Sequence, residues 1–220
     1  MKKCVFCSII NKVDKELVSK PENTILYEDD IVLIIPAMGM SVANYLIVLS
    51  KEHINSFAEF SKSEIDRLEN LIDSICSQYL KVLGIFPCIF EHGSLINGRH
   101  PLSIVHAHIH IIPIELELKN TIKLFKDLKL KKKENYYSIK TLQNKDYWVY
   151  RSNQREYYMS HSVKDAPRSS FIKIVASQVG YEMNYEWRDK KITERKMYKL
   201  LLTILSVSRL LYYRYCTSIN

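Results

Sequence analysis

Glycine and proline are scarce in this chain, five and six among 220 residues. That scarcity excludes a collagen-like repeat and a Gly/Pro-rich low-complexity chain. Cysteine is scarce too: five residues, an odd number thinly spread apart from Cys4 and Cys7, do not make a disulfide framework. A reducing compartment is expected, and the cytosol is the default. Acidic residues are in deficit, with 24 Asp and Glu against 32 Lys and Arg, for a net charge of +8 and a pI of about 9.1. The excess favours anionic partners, whether free nucleotides, nucleic acids or acidic membrane surfaces, without choosing among them. Long apolar runs are also missing. Met1-Lys2-Lys3 has the charge of a signal-peptide start, but Asn11, Lys12, Asp14, Lys15 and Glu16 interrupt the segment before an apolar region develops. The stretch from Leu200 to Tyr213 is broken by Ser206, Ser208 and Arg209 and is too short to cross a bilayer core of about 30 Å as a helix. Neither an export signal nor a membrane partner is expected.

What is present describes a folded chain: 47% hydrophobic residues, 25% charged residues and fifteen Tyr. Thr24 to Tyr27 and Ile31 to Ile35 flank the polar Glu28-Asp29-Asp30, which predicts two strands joined by a tight turn. Tyr45 to Leu49 is a third apolar run. Ser61-Lys-Ser-Glu64 is a capping-box pattern, and Ile65, Leu68, Leu71, Ile72, Ile75 and Leu80 follow near helical spacing until Gly84. Ile85 to Glu91 and Ile104 to Ile112 read as strands separated by a loop with Gly93, Asn97, Gly98 and Pro101. Strands, one long helix and more strands make an α+β domain.

The composition then changes, with seven Lys between Lys119 and Lys133, a pattern of solvated helix faces and linkers more than of nucleic-acid contacts. The boundary is placed between a first domain over 1–115 and a mixed C-terminal extension over 116–220. Within the extension, Tyr136 to Tyr158 suggests short strands, and helices are expected over Pro167 to Gly180 and Ile192 to Leu211.

Four of the seven His lie between residues 100 and 110, and His106-Ala-His108-Ile-His110 repeats at every second position. On a strand that spacing turns three imidazoles to one face. Crowding them is costly unless they bind a metal or an anion. Two chemistries suit the row. The histidines can ligate zinc with an open coordination position, or a neutral imidazole can attack phosphorus while its neighbours hold the phosphate oxygens. Cys4 and Cys7 form a lone Cys-X-X-Cys, which by itself fits a redox pair, a structural role or coincidence.

The segment His106-Ala-His-Ile-His-Ile-Ile-Pro113 resembles the defining motif of the histidine-triad (HIT) family, and agreement extends to Cys4-Val-Phe-Cys7, Tyr27-Glu-Asp-Asp30 and Leu49-Ser-Lys-Glu-His53. The likeness covers roughly residues 1 to 114. It implies a HIT-like antiparallel sheet with a long helix. It also implies a nucleotide hydrolase or nucleotidyltransferase in which His108 is the nucleophile, His110 binds a phosphate oxygen, and Ser103 donates to a phosphate oxygen or the leaving group. His92, which stands where the family usually has Asn, is a candidate phosphate contact. In zinc-binding members the Cys pair is joined by two His, which map onto His53 and His106. A structural zinc on Cys4, Cys7, His53 and His106 is therefore expected, with no catalytic metal required. A nucleotide substrate and a homodimer paired across the helix and a sheet edge are the partners the resemblance implies.

The chain departs from the family at two places. Ala37 stands where many members carry an acidic residue that contacts the ribose, and Pro101-Leu102-Ser103 keeps the Ser of a Gly-Gln-Ser stretch without the Gln. The extension resembles that of a longer bacterial type of histidine-triad protein at Arg168-Ser-Ser-Phe171 and Glu186-Trp-Arg188; Arg168 or Arg188 would bind phosphate, or form a surface ion pair, and Trp187 would pack in a core or stack on a base. A nucleotide- or nucleic-acid-binding module with weak or lost catalysis is the competing reading, and an open zinc site on the triad is a third.

Overall fold

A computed structural model describes residues 4–20, 23–37, 42, 44–93, 104–116 and 128–161. Ser103, the lysines over 119–127, the helices expected over 167–180 and 192–211, and Arg168, Trp187 and Arg188 lie outside the described residues.

Two short helices, α1 (Val5–Ile10) and α2 (Lys15–Val18), precede strands β1 (Tyr27–Glu28), β2 (Val32–Pro36) and β3 (Leu46–Ser50). The long helix α3 (Lys62–Leu83) leads to β4 (Cys88–Gly93) and β5 (His108–Ile112). Strands β6 (Lys131–Lys133), β7 (Tyr147–Arg151) and β8 (Tyr157–His161) follow. All eight join one sheet in the order β1-β2-β3-β5-β4-β7-β8-β6, every neighbouring pair antiparallel. The fold is α+β, as expected.

Local chemistry explains the best-read elements. The Asp29 carboxylate accepts from the amides of Ile31 (2.9 Å) and Val32 (2.8 Å), closing the turn between β1 and β2. At the start of α3, Ser61 Oγ accepts from the Glu64 amide at 3.3 Å and the Glu64 carboxylate accepts from the Ser61 amide at 2.7 Å, so the capping box is complete. Gly84 ends the helix in the left-handed region (φ 72°), where a side chain would be strained. The buried stripe of α3, Ile65, Leu68, Ile72, Ile75 and Tyr79, packs with Val32, Ile34, Val48, Ile109 and Ile111.

Side chains alternate along a strand, so the intervening residues face away from α3. On that second face Leu33, Ile35 and Leu49 are covered by Phe6 and Ile9 of α1, while Phe90, Trp148, Tyr150 and Tyr158 cluster farther along. His108 and His110 belong to this face.

Three strands start three or more residues later than expected, β1 among them, at Tyr27 rather than Thr24. The ladder expected over Ile85–Glu91 begins at Cys88, after Pro87, which has no N–H to offer. The one expected over Ile104–Ile112 begins at His108: the His106 amide turns back to the Ile104 carbonyl (3.1 Å) and the Ala107 amide bonds to Ile54 (2.7 Å). His106 therefore sits in a bend just ahead of the strand rather than on it.

The sheet crosses residues 115 and 116 of the sequence through β7, which pairs along the outer edge of β4 with Phe90 opposite Tyr150 and His92 opposite Trp148. The β6 lysines, expected in a linker or on a helix face, form a strand beside β8; three charged side chains make that outer strand a poor template for further pairing. Among the described residues, no helix is long and apolar enough to cross a membrane.

Candidate active site and metal cluster

The strand β5 sets the two central imidazoles. His108 and His110 lie two residues apart on one face, with ring centroids 4.9 Å apart. The His108 Nδ1–H donates to the His106 carbonyl at 2.6 Å. That bond fixes the tautomer and leaves Nε2 with its lone pair. His110 Nδ1 lies 2.5 Å from the Tyr45 hydroxyl. Burial lowers the His108 pKa, against the opposing pull of the His106 carbonyl, and burial followed by the nearby His108 and His92 takes His110 well below its ordinary range. Both rings are thus neutral at neutral pH, the state a nitrogen nucleophile requires.

The bend before β5 sends His106 elsewhere. Its Nε2–H donates to the Ser50 carbonyl at 2.7 Å, so Nδ1 carries the lone pair. That atom lies 3.3 Å from His53 Nδ1, 3.5 Å from Cys4 Sγ and 3.6 Å from Cys7 Sγ, and Cys7 Sγ lies 3.1 Å from His53 Nδ1. All four ligand atoms fall within 4.8 Å of one another. A tetrahedral ion with metal–sulfur bonds of about 2.3 Å and metal–nitrogen bonds of about 2.0–2.1 Å separates its nitrogens by about 3.3 Å and nitrogen from sulfur by about 3.5 Å. The donor set and its spacing fit zinc. Burial and the adjacent Cys4 thiol push Cys7 up to about 11, and burial pushes His106 down to about 4. A cation is what would let such crowded sulfurs ionise.

One aromatic residue joins cluster and triad. The Phe6 ring of α1 meets His106 edge-on at 5.7 Å and His108 at 5.4 Å. It lies between Cys4 and Cys7, so the helix that begins at the first thiol and carries the second also packs on the β5 histidine.

His92, expected in a loop, is instead on β4, where it stacks on Trp148 with centroids 4.0 Å apart and ring planes 2° from parallel. The structure thus brings Cys4, Cys7, His53 and His106 into one cluster and sets His92, His108 and His110 on adjacent strands; Ser103 is outside the described residues. Two contributors carried no readable signal. Tyr45 opens an apolar run and looks like any core aromatic, and Trp148 sits in a Tyr-rich segment far from the triad in sequence.

Fold and site together define the histidine-triad class, an antiparallel sheet backed by a long helix with alternating histidines on the opposite face. The chain belongs to the histidine-triad family: the family profile described as "Scavenger mRNA decapping enzyme C-term binding" matches residues 3–125. An uncharacterized HIT-like protein of Borreliella burgdorferi is 29% identical over 115 residues, covering 50% of this chain and 74% of that protein. Among solved structures, a hypothetical histidine triad nucleotide-binding protein from Sulfolobus tokodaii is 14% identical, with 94% of this chain and 93% of that one covered and a TM-score of 0.48. A HIT family hydrolase from Clostridium thermocellum is 22% identical, covering 54% and 95%, with a TM-score of 0.37.

Proposed function

We propose that the chain is a nucleotide hydrolase or nucleotidyltransferase that cleaves at the nucleoside α-phosphate through a covalent nucleotidyl-His108 intermediate. Family membership supports nucleotide-binding, hydrolase-type function in general. The finer reading rests above all on the 2.6 Å bond from His108 Nδ1 to the His106 carbonyl, which leaves a neutral Nε2 as nucleophile.

In the first step the Nε2 lone pair forms a bond to the α-phosphorus. The bond from phosphorus to the leaving group breaks opposite it, and the leaving group departs with its electron pair and gains a proton. In the second step water, or another acceptor, attacks phosphorus, surrenders a proton, and the P–N bond returns its electrons to His108. If the Tyr45 hydroxyl donates to His110 Nδ1, His110 Nε2–H is left to donate to a phosphate oxygen. Ser103 is assigned the phosphate oxygen or leaving group by the resemblance, and His92 a phosphate contact.

Cys4, Cys7, His53 and His106 would hold a structural zinc. Zinc held there would supply a structural crosslink between α1, the segment after β3 and the bend before β5. These residues keep the His106 carbonyl where His108 needs it. An open zinc site on all three histidines is not proposed, because His106 Nδ1 faces the Cys4, Cys7 and His53 ligand atoms. A homodimer would have to use a surface other than the outer edge of β4, which β7 fills.

A nucleotide-binding module with little turnover is the second reading. Ala37, buried and with its amide bonded to the Tyr45 carbonyl (3.0 Å), favours it by offering no side-chain group to a ribose. The deciding experiment follows nucleoside monophosphate release from dinucleoside polyphosphates, nucleoside phosphoramidates and nucleotide sugars, for native protein and His108→Ala at matched folding. Release that falls by about 10³-fold or more in the mutant supports the mechanism. Binding without release by either protein would move the conclusion to the second reading.

A further inference from the structure

We infer that Trp148 is a positioning residue of the active site: it stacks on His92 and holds that imidazole next to the nucleophile, so that β7 completes the site. The inference rests on the nucleotidyl-histidine reading. It goes further by assigning a role to a residue beyond the family-matched segment, 3–125.

The argument begins with register. Leu49 on β3 faces His108 on β5, and β5 faces β4 with His110 opposite Phe90 and Ile109 opposite Glu91. Continuing that ladder by one residue sets His108 beside His92, and His92 is paired with Trp148 on β7. Leu49, His108, His92 and Trp148 therefore form one line across four strands, neighbours about 4.8 Å apart. The next line carries Ile47, His110, Phe90, Tyr150 and Tyr158. Alternation keeps both lines on the face away from α3.

Within the first line the contact between His92 and Trp148 is the most ordered. Its ring planes lie within 2° of parallel with centroids 4.0 Å apart, a stacked pair. Trp148 is itself anchored: it is buried, and it shares a cluster with Phe90, Tyr150 and Tyr158, whose rings stack in pairs at 5.1 and 6.1 Å. On the opposite face the Tyr147 ring lies over Gly93, at a distance where a Cβ would collide with it. The strand end that carries His92 is therefore pinned from both sides by β7.

An imidazole held this way does not have to be ordered when the nucleotide arrives. The register that sets it beside His108 keeps it on the face that carries both central imidazoles. A core tryptophan with no link to the site would stabilise the sheet, but its loss would not act through His92. That difference is measurable.

The test is a double-mutant cycle on nucleoside monophosphate release by the full chain, using Trp148→Ala, His92→Ala and the pair, with Trp148→Phe as the conservative variant. Trp148→Ala is expected to lower kcat by about 10- to 100-fold with a smaller change in KM. The double mutant should be no worse than His92→Ala, and Trp148→Phe should recover most of the loss. Multiplying effects, or full turnover in folded Trp148→Ala, would overturn the inference while leaving His108 in its role. A native protein without turnover would instead sink the functional reading.

A spectroscopic arm settles the stack without turnover and without an unstable variant. In a Trp187→Phe background Trp148 is the remaining tryptophan, and its emission is titrated with adenosine monophosphate. His92→Ala is expected to change the emission and to abolish the nucleotide response. Identical spectra and responses with and without His92 would overturn the inference.

Discussion

Strands β2, β3 and β5 meet helix α3 through Val32, Ile34, Val48, Ile109 and Ile111, whereas β7 and β8 add polar contacts with the same helix to the Tyr147, Val149, Tyr157 and Met159 side chains they place in that core. Arg151 pairs with Asp73 at 2.5 Å while its guanidinium lies over the rings of Phe86 (5.2 Å) and Tyr157 (4.9 Å), and the Tyr157 hydroxyl donates to Glu69 at 3.0 Å. Between the two regions Glu91, 1% exposed, accepts from the hydroxyls of Tyr136 (2.6 Å) and Tyr147 and the amide of Phe57 (3.4 Å). The first region is joined by area removed from water, and the second by such area together with a hydrogen-bonded hub. A buried hub is strong while every member is satisfied and costly once one is lost.

That difference sets how each region should fail. In the first, the largest effect is expected from Cys7→Ser: zinc content falls from about one per chain toward none and Tm drops by roughly 10 °C. Metal analysis with thermal unfolding reads both, and unchanged zinc content would remove the cluster from the account.

In the second, Glu91 gives a pH signature. Burial raises its pKa from 4.5 to about 7, although the two tyrosines and the Phe57 amide pull the other way. A raised carboxyl pKa means that the folded state holds the proton longer than the unfolded state. Glu91 therefore makes stability fall as pH rises from about 4.5 to about 7, and its effect is flat above that. Glu91→Gln is expected to flatten that slope, a change on the order of 3 kcal/mol across the window, read from urea unfolding at several pH values. An identical slope in the mutant would contradict the hub.

Gly93→Ala comes next, because its Cβ would meet the Tyr147 ring and displace it from β4. A loss of about 1–3 kcal/mol is expected. Asp73→Ala should cost least, about 1 kcal/mol or less, since Asp73 is half-exposed although Arg151 is not. A larger loss there would mean that β7 hangs on this one ion pair.

The same comparison explains what could be read in advance. The α3 boundaries were legible because a capping box and a left-handed glycine are local signals, and the Cys4, Cys7, His53 and His106 set was legible because its motifs resemble those of a known family. The joining of β4 to β7 was not, since it pairs residues more than fifty positions apart and the intervening pattern carries no trace of it. Lys131–Lys133 read as solvated chain for a sound reason: three lysines have low strand propensity, and only their position at the sheet edge permits pairing. His106 left the strand because its backbone bonds into the bend before His108, a constraint that alternation alone does not reveal.

The measurement closest to the central claim is mass spectrometry of the protein quenched at alkaline pH during turnover, where a P–N bond survives. The expected result is a nucleoside monophosphate adduct on the peptide containing His108, absent from His108→Ala. Turnover without an adduct, or an adduct on another residue, would contradict the account.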